Sequence, residues 1–521
     1  MRRVLCVSVL LLIALSPVTA TGIAEDQQPE SIVIGQIAEP SSLDPHDASS
    51  IEEFRVIGNV LEGLVRHADG SLAVEPALAT AWEISEDGRT YTFELREGVL
   101  FHDGTPFNAT AVKFSLDRIR GTRSPFQEQA PFPMTMSLDV VEETRILDEY
   151  TVQIILAEPF APLLSNLANP RAMIVSPSAV ATEEIEFGRN PVGTGPYRFS
   201  EWGPEEGVVL ESSDDYWGER ARVERIVFRS TLDSNDRITE LLAGRVDVLV
   251  DVPPASVQVF AQRDDFFVYQ EEAPHVWALI LNLREGPFTS RSLRLAANYA
   301  IDKEALVNNV LMGAATVAAG PIAPAFGWAH HPELSPYPFD PVRAEELITE
   351  SGYRGEELVF AVTTGGDGML DPIQMGRAIR ADLESVGLNV TVETYPWNTH
   401  RRRFHAGLEG RADLAQMAWI TTEPDTLPYM ALRSDAWPEL GGSNAGYYGN
   451  VRVDELLRQA RTSPDRTERA RLYREAQEIV RDDAPWVFIA HGTQTVVAAT
   501  RVRNLRLQPS FLLPMEGVTV E

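Results

Sequence analysis

Short apolar runs alternate with amphipathic stretches along most of the chain. Ser31-Ile32-Val33-Ile34-Gly35 is a compact apolar run and predicts a first strand. Residues 52–61 then place Phe54, Ile57 and Leu61 on one helical face. Residues 90–95 alternate strictly, which puts Tyr91, Phe93 and Leu95 on one side of a half-buried strand. Asp103-Gly104 marks a turn, and Asn108 is the predicted cap of a helix carrying Val112, Leu116 and Ile119. A helix over 234–243, stopped by Gly244, leads to a strand over 246–250, and Asp302 caps a helix running to 311.

The C-terminal half shows the alternation more plainly. Asp340-Pro341 sets an N-cap before a proline in the first helical position, and Gly352 lies past the end. Strands are predicted over 358–363, 389–395 and 414–419, separated by helices over 373–385 and 400–406. Strand–helix–strand units of this kind imply an α/β fold with a largely parallel sheet covered by helices. In such sheets ligands bind beyond the carboxyl ends of the strands. Thr421-Thr422-Glu423-Pro424-Asp425 follows directly on such an end, with two hydroxyls and two carboxylates. Its position predicts a ligand-facing loop; an ordinary solvated loop is the alternative.

Length and charge narrow the class. A chain of 521 residues exceeds one ordinary domain, so two or three are expected. The net charge of −31 disfavours nucleic acid, whose phosphates need clustered Lys and Arg. The acids are scattered and read as a solubility surface. The N-terminus has the form of a secretory signal peptide: Arg2 and Arg3, an apolar core over 4–15, and Val18-Thr19-Ala20 as a small-x-small cleavage site, with Ala24 as the later candidate. The apolar core is shorter than the roughly 20 residues of a membrane span. Cys6, the single cysteine, lies inside it and not at a cleavage site, so a lipoprotein is not expected. The mature chain then has no disulfide and no thiolate metal site, and a periplasmic location follows.

Catalytic and cofactor motifs are largely missing. No G-x-S-x-G, H-E-x-x-H or G-x-x-x-x-G-K-[ST] pattern occurs. His330-His331 are adjacent, and His400 and His405 flank Arg401-Arg402-Arg403, neither pair at a zinc spacing. No cofactor, metal or nucleotide is expected. Glu423 and Asp425 leave one enzymatic reading open, an exported carboxylate-pair hydrolase, which their separation in space decides. Trp277, Trp397, Trp419, Tyr447 and Tyr448 fall near predicted strand ends and suggest aromatic cleft walls; core packing is the alternative for each.

Several stretches together carry a family resemblance: EPSSLDP (39–45), NVLEGLVR (59–66), the block from LATAWEISEDG to FSLDRI (78–119), NPVGTGPYRFSEW (190–202), DDYWG (214–218) and AANYAIDKEAL (296–306). They resemble the peptide/nickel-type, family 5, periplasmic solute-binding proteins of bacterial ABC importers. The resemblance implies a two-lobed periplasmic-binding-protein fold of class II. After a signal peptide over 1–20, the first lobe would comprise 30–65, 195–285 and 491–521, with an extra inserted domain over 66–194. The second lobe would comprise 286–490. It further implies a monomeric receptor that closes over a small solute and delivers it to a permease in the inner membrane. Use of the same scaffold as a chemoreceptor or chaperone partner is the variant reading.

The ligand-binding residues expected on that basis are Ser41, Ser42, Trp277, Trp397, Trp419, Thr421, Thr422, Glu423, Asp425 and Tyr447. The dipeptide-binding branch places an Asp shortly after the residue matching Trp419, where this chain has Thr422. That branch also places an Arg in the stretch matching Thr364-Gly365-Gly366-Asp367-Gly368, which has none. Standard anchoring of dipeptide termini is therefore not expected. Longer peptides, sugars, cationic solutes and metal chelates remain open.

Overall fold

The computed structural model describes residues 30–121, 138–183, 187–204, 206–366 and 368–521. The expected signal peptide with Cys6, and Asp367, lie outside the described residues.

The first strand, Ser31–Gln36, pairs in parallel with Arg225–Ser230 and with the short strand Val248–Leu249. Gly207–Ser212 and Tyr197–Gly203 extend this sheet antiparallel. The helix Ile51–Val60 starts at a capping box, in which Ser50 accepts from the Glu53 N–H and Glu53 accepts from the Ser50 N–H. The opposite half of the sheet holds Asn389–Tyr395, Glu357–Thr363 and Leu414–Ile420 in parallel, then His275–Leu281 antiparallel. The sheet is thus mixed rather than largely parallel, because its central strands arise from chain crossings instead of strand–helix–strand units. His275–Leu281 is buried throughout. Ala278 and Ile280 join the core on one side, Trp277, Leu279 and Leu281 the core on the other, as the two-residue strand period dictates.

Two crossings join the halves. The strand Trp486–Ala499 runs unbroken through both: its start pairs with His275–Leu281 and its end with Phe266–Glu272. Beside it the chain breaks at Ala273-Pro274, where proline has no N–H for the ladder. This crossing precedes the expected boundary at 285, since 275–281 already pairs within the second lobe. The boundary expected at 490 falls inside the long strand.

His275 ties the crossings together. Its Nδ1 accepts the Gly492 N–H at 2.9 Å, which leaves Nε2 to donate to the Gly368 carbonyl at 2.7 Å. Burial pushes this imidazole down to about 4, so it stays neutral at pH 7. A Cβ on residue 492 would come within 2.8 Å of the ring, so only glycine admits this approach.

A separate four-stranded antiparallel sheet, in the order Ala79–Ile84, Thr90–Leu95, Thr151–Leu156, Val141–Asp148, lies within the expected inserted domain. With the Asn108-capped helix Ala109–Ile119 it encloses its own core, including Phe93, Phe107, Val112 and Ile154. Three of the sequence motifs meet where this unit joins the first lobe. Glu62 accepts from Thr194 and from Trp217 Nε1, both at 2.8 Å, and from Tyr216 at 3.1 Å. A Cβ on Gly193 would lie 2.1 Å from the Val60 carbonyl oxygen. The G-T-G turn therefore serves close backbone packing.

Candidate ligand cleft

A cleft of about 390 Å³ lies between the lobes. On the first-lobe side it is bounded by Ser49, Ile51 and Phe54 at the start of the helix Ile51–Val60, by Asn169-Pro170-Arg171, and by Ser510. The second lobe contributes the helix Trp397–His405 and the end of the strand Leu414–Ile420.

The helix presents one face. Trp397, Arg401, Phe404 and His405 recur at helical spacing and all line the cleft, whereas Arg402 and Arg403 do not. Trp397 is held from two sides. The buried His400 stacks on it at 6.2 Å and 16°, and is fixed through Nε2 to the Gln416 carbonyl at 2.7 Å. Gly366, at φ +141°, lies so close that a Cβ there would sit 2.3 Å from the indole. The Nε1–H groups of Trp397 and Trp419 are enclosed and have no protein acceptor. An enclosed unpaired donor costs about 1–3 kcal/mol; neither nitrogen is open to the cleft, so the two tryptophans contribute ring surface to its wall. Thr421 and Thr422 continue this wall, and the Thr421 N–H donates to the Pro274 carbonyl at 3.2 Å. The wall is thereby tied to the crossing. Arg171 closes the opposite side, its Nε donating to the Ala48 carbonyl at 3.0 Å and its guanidinium lying 4.8 Å from the centre of the Phe54 ring.

The acids of the same loop point elsewhere. Glu423 and Asp425 are 3% and 2% exposed. Arg469 donates to Glu423 at 2.5 Å and Arg461 to Asp425 at 2.6 Å, with the Tyr473 hydroxyl 3.4 Å from Asp425. Burial pushes both carboxyls above the usual range, and the guanidinium groups pull them back only in part. The Ala161 N–H donates to the Arg461 carbonyl at 2.9 Å, and Phe160 lies 4.5 Å beneath its guanidinium. This cluster joins the first lobe's inserted unit to the second lobe. The expectation that Glu423 and Asp425 line the cleft is corrected accordingly. The hydrolase reading loses its geometry, because both carboxylates are occupied by guanidinium groups and neither faces the cleft.

Other expected site residues also sit outside the cleft lining. Trp277 is fully buried in the second-lobe core, among Leu279, Phe360 and Ile489. Tyr447 stacks under Arg284, 3.6 Å from its guanidinium. Ser41 donates to Glu53 at 2.5 Å, and the Ser42 N–H donates to the same oxygen at 3.3 Å, so both shape the loop ahead of the first-lobe helix. Trp397, Trp419, Thr421 and Thr422 are the four that line the cleft. Arg401 and Phe404 were missed, although their spacing from Trp397 on one helix marks them. Phe54, Arg171 and Ser510 come from remote segments and leave no local signal.

Among the described residues no cluster of His, Cys, Asp or Glu could hold a metal ion, and no helix is long and apolar enough to cross a membrane.

Comparison with known proteins adds an independent line. The family model for bacterial extracellular solute-binding proteins, family 5, middle region, matches residues 73–438. The glutathione-binding protein GsiB of Pectobacterium atrosepticum is 31% identical over 488 residues, 91% of each chain. Heme-binding protein A of Haemophilus influenzae is 30% identical, over 89% of this chain and 87% of the relative. Among solved structures, the ABC transporter-associated periplasmic binding protein DppA from Helicobacter pylori, in complex with the peptide STSA, superposes with a TM-score of 0.80. It is 28% identical, over 94% of this chain and 98% of that one.

Proposed function

This chain belongs to the family 5 bacterial extracellular solute-binding proteins, the substrate-binding receptors of ABC importers, and from that premise we propose that its ligand is a peptide or peptide-like small solute bound between Trp397 and Trp419. The observation that carries this reading is the cleft itself, which is walled by the end of the strand Leu414–Ile420 and bounded by both lobes. A ligand that touches both walls binds the closed form more tightly and shifts the population toward it. Thr421 and Thr422 offer hydroxyls, and Trp397 and Trp419 offer aromatic surface. A glutathione-binding relative and a peptide-bound structural neighbour support the ligand class.

Family 5 receptors are periplasmic. We propose that residues 1–20 direct export, that the mature chain is an unlipidated monomer, and that the closed form docks on permease subunits of an inner-membrane transporter. The lobe assignments belong to the same reading, with the crossing moved to 273–274. The test is calorimetry and small-angle scattering on the exported protein, freed of bound solute, against a mixture of di- to pentapeptides. Binding with a compaction of the particle is expected, and Trp419→Ala removes both. Binding that survives Trp419→Ala undiminished refutes the placement of the site.

A further inference from the structure

The chain carries 76 acidic residues against 45 Lys and Arg. Its cleft runs the other way. The described lining residues include Arg171, Arg401 and His405, and no Asp or Glu. Three acids near the lining in sequence are already engaged. Glu53 accepts the N–H groups of Ser49 and Ser50 and the Ser41 hydroxyl. Glu423 and Asp425, which would have suited a cationic solute, are held by Arg469 and Arg461. Arg401 is exposed on the cleft-facing side of its helix, 5.9 Å from the Trp397 ring, and no described carboxylate lies within salt-bridge distance of it. Basic side chains without acidic ones therefore border one space, and an anion is the complementary occupant.

We propose that the ligand is recognised through a carboxylate that meets Arg401, and that a free amino group is not required. This rests on the cleft being the ligand site. It reverses the common expectation for a peptide receptor, in which both charged termini are paired. Cationic solutes are disfavoured, because nothing in the described lining neutralises them.

The test uses the exported protein, freed of bound solute, and one di- to pentapeptide mixture in three forms: untreated, carboxyl-amidated and amino-acetylated. Thermal stabilisation is the readout. The untreated and acetylated mixtures are expected to stabilise, and the amidated one to fail. Arg401→Gln should weaken binding of the untreated mixture roughly tenfold, while Arg402→Gln, on the same helix but outside the lining, leaves it unchanged. Stabilisation by the amidated mixture equal to the untreated overturns the proposal and leaves the cleft in place. So does loss of stabilisation on acetylation, which makes the amino group the anchor. If no form stabilises the protein, the peptide reading of the cleft fails, and the carboxylate inference falls with it.

Discussion

Removing Arg469 isolates the energetics of the buried charge cluster. Arg469→Met keeps the stem of the side chain and deletes the guanidinium that lies 2.5 Å from Glu423. Glu423 is 3% exposed, so its charge would be left without its main partner. Breaking a buried pair from one side costs about 3–5 kcal/mol. The carboxylate has an escape, since it can take up a proton. From an ordinary value of 4.5, neutralising it at pH 7 costs about 3 kcal/mol, and at pH 5 less than about 1 kcal/mol. That route caps the loss near 3 kcal/mol at pH 7. The cap corresponds to roughly 6–12 °C in the unfolding of a unit of about 200 residues. Burial already holds the folded pKa of Glu423 above its unfolded value. Protonation therefore favours the folded protein, and this stabilisation is lost as pH rises through the folded value. The deficit of Arg469→Met should accordingly be large at pH 7 and shrink toward pH 5. Adding Glu423→Gln should remove most of the pH dependence. Calorimetric scans of the single and double variants at both pH values measure this. An equal deficit at the two pH values, or none at pH 7, refutes the argument.

Two further outcomes are expected. Glu62, ringed by Thr194, Tyr216 and Trp217, is pushed by burial up to about 7. Its protonated form stabilises the fold below pH 4.5, and up to about 3 kcal/mol is lost as pH rises through 7. Glu62→Gln should flatten the fall in melting temperature between pH 5 and 8, and parallel curves for variant and parent would sink this account. Gly366→Ala places a methyl where only 2.3 Å separates it from the Trp397 indole, at a φ of +141° that alanine resists. It should weaken peptide binding while leaving the melting temperature of the first lobe in place; unchanged affinity in calorimetry would show that Trp397 can shift without consequence.

Local rules recovered local structure. The alternation at 90–95 and the run at 389–395 became strands with those bounds. Asn108, Asp340 and Ser234 sat where caps or first turns begin, and the helices followed. The helix expected from Asp302 to 311 is only partly regular: after Lys303–Ala305 it widens into a π turn at Leu306–Val310, with the Leu311 N–H reaching back to the Leu306 carbonyl. Trp419, Thr421 and Thr422 were legible because a strand end places them. Glu423 and Asp425 were not, because their fate depends on Arg461 and Arg469, which lie on the later helices Val451–Thr462 and Arg466–Asp483. One five-residue stretch is thus divided: its hydroxyls face the cleft, and its acids face a contact between lobes. Hydropathy could not separate them, since both halves are polar. Trp277 misled for the opposite reason, as an aromatic near a strand end that happens to point into the core.

The paired crossings at Ala273-Pro274 and within Trp486–Ala499 carry a kinematic consequence. A single flexible joint would let one lobe swivel and tilt freely against the other, like a ball in a socket. Two joints side by side define a line, and a body held at two points on a line can only swing about it, as a door does on two pins. The neutral imidazole between the pins keeps them at a fixed spacing. Any swing of one lobe against the other would then bring the same two walls together along the same arc. On the proposed function, a solute would be met every time by the same partners in the same order, and a permease would see one repeatable face.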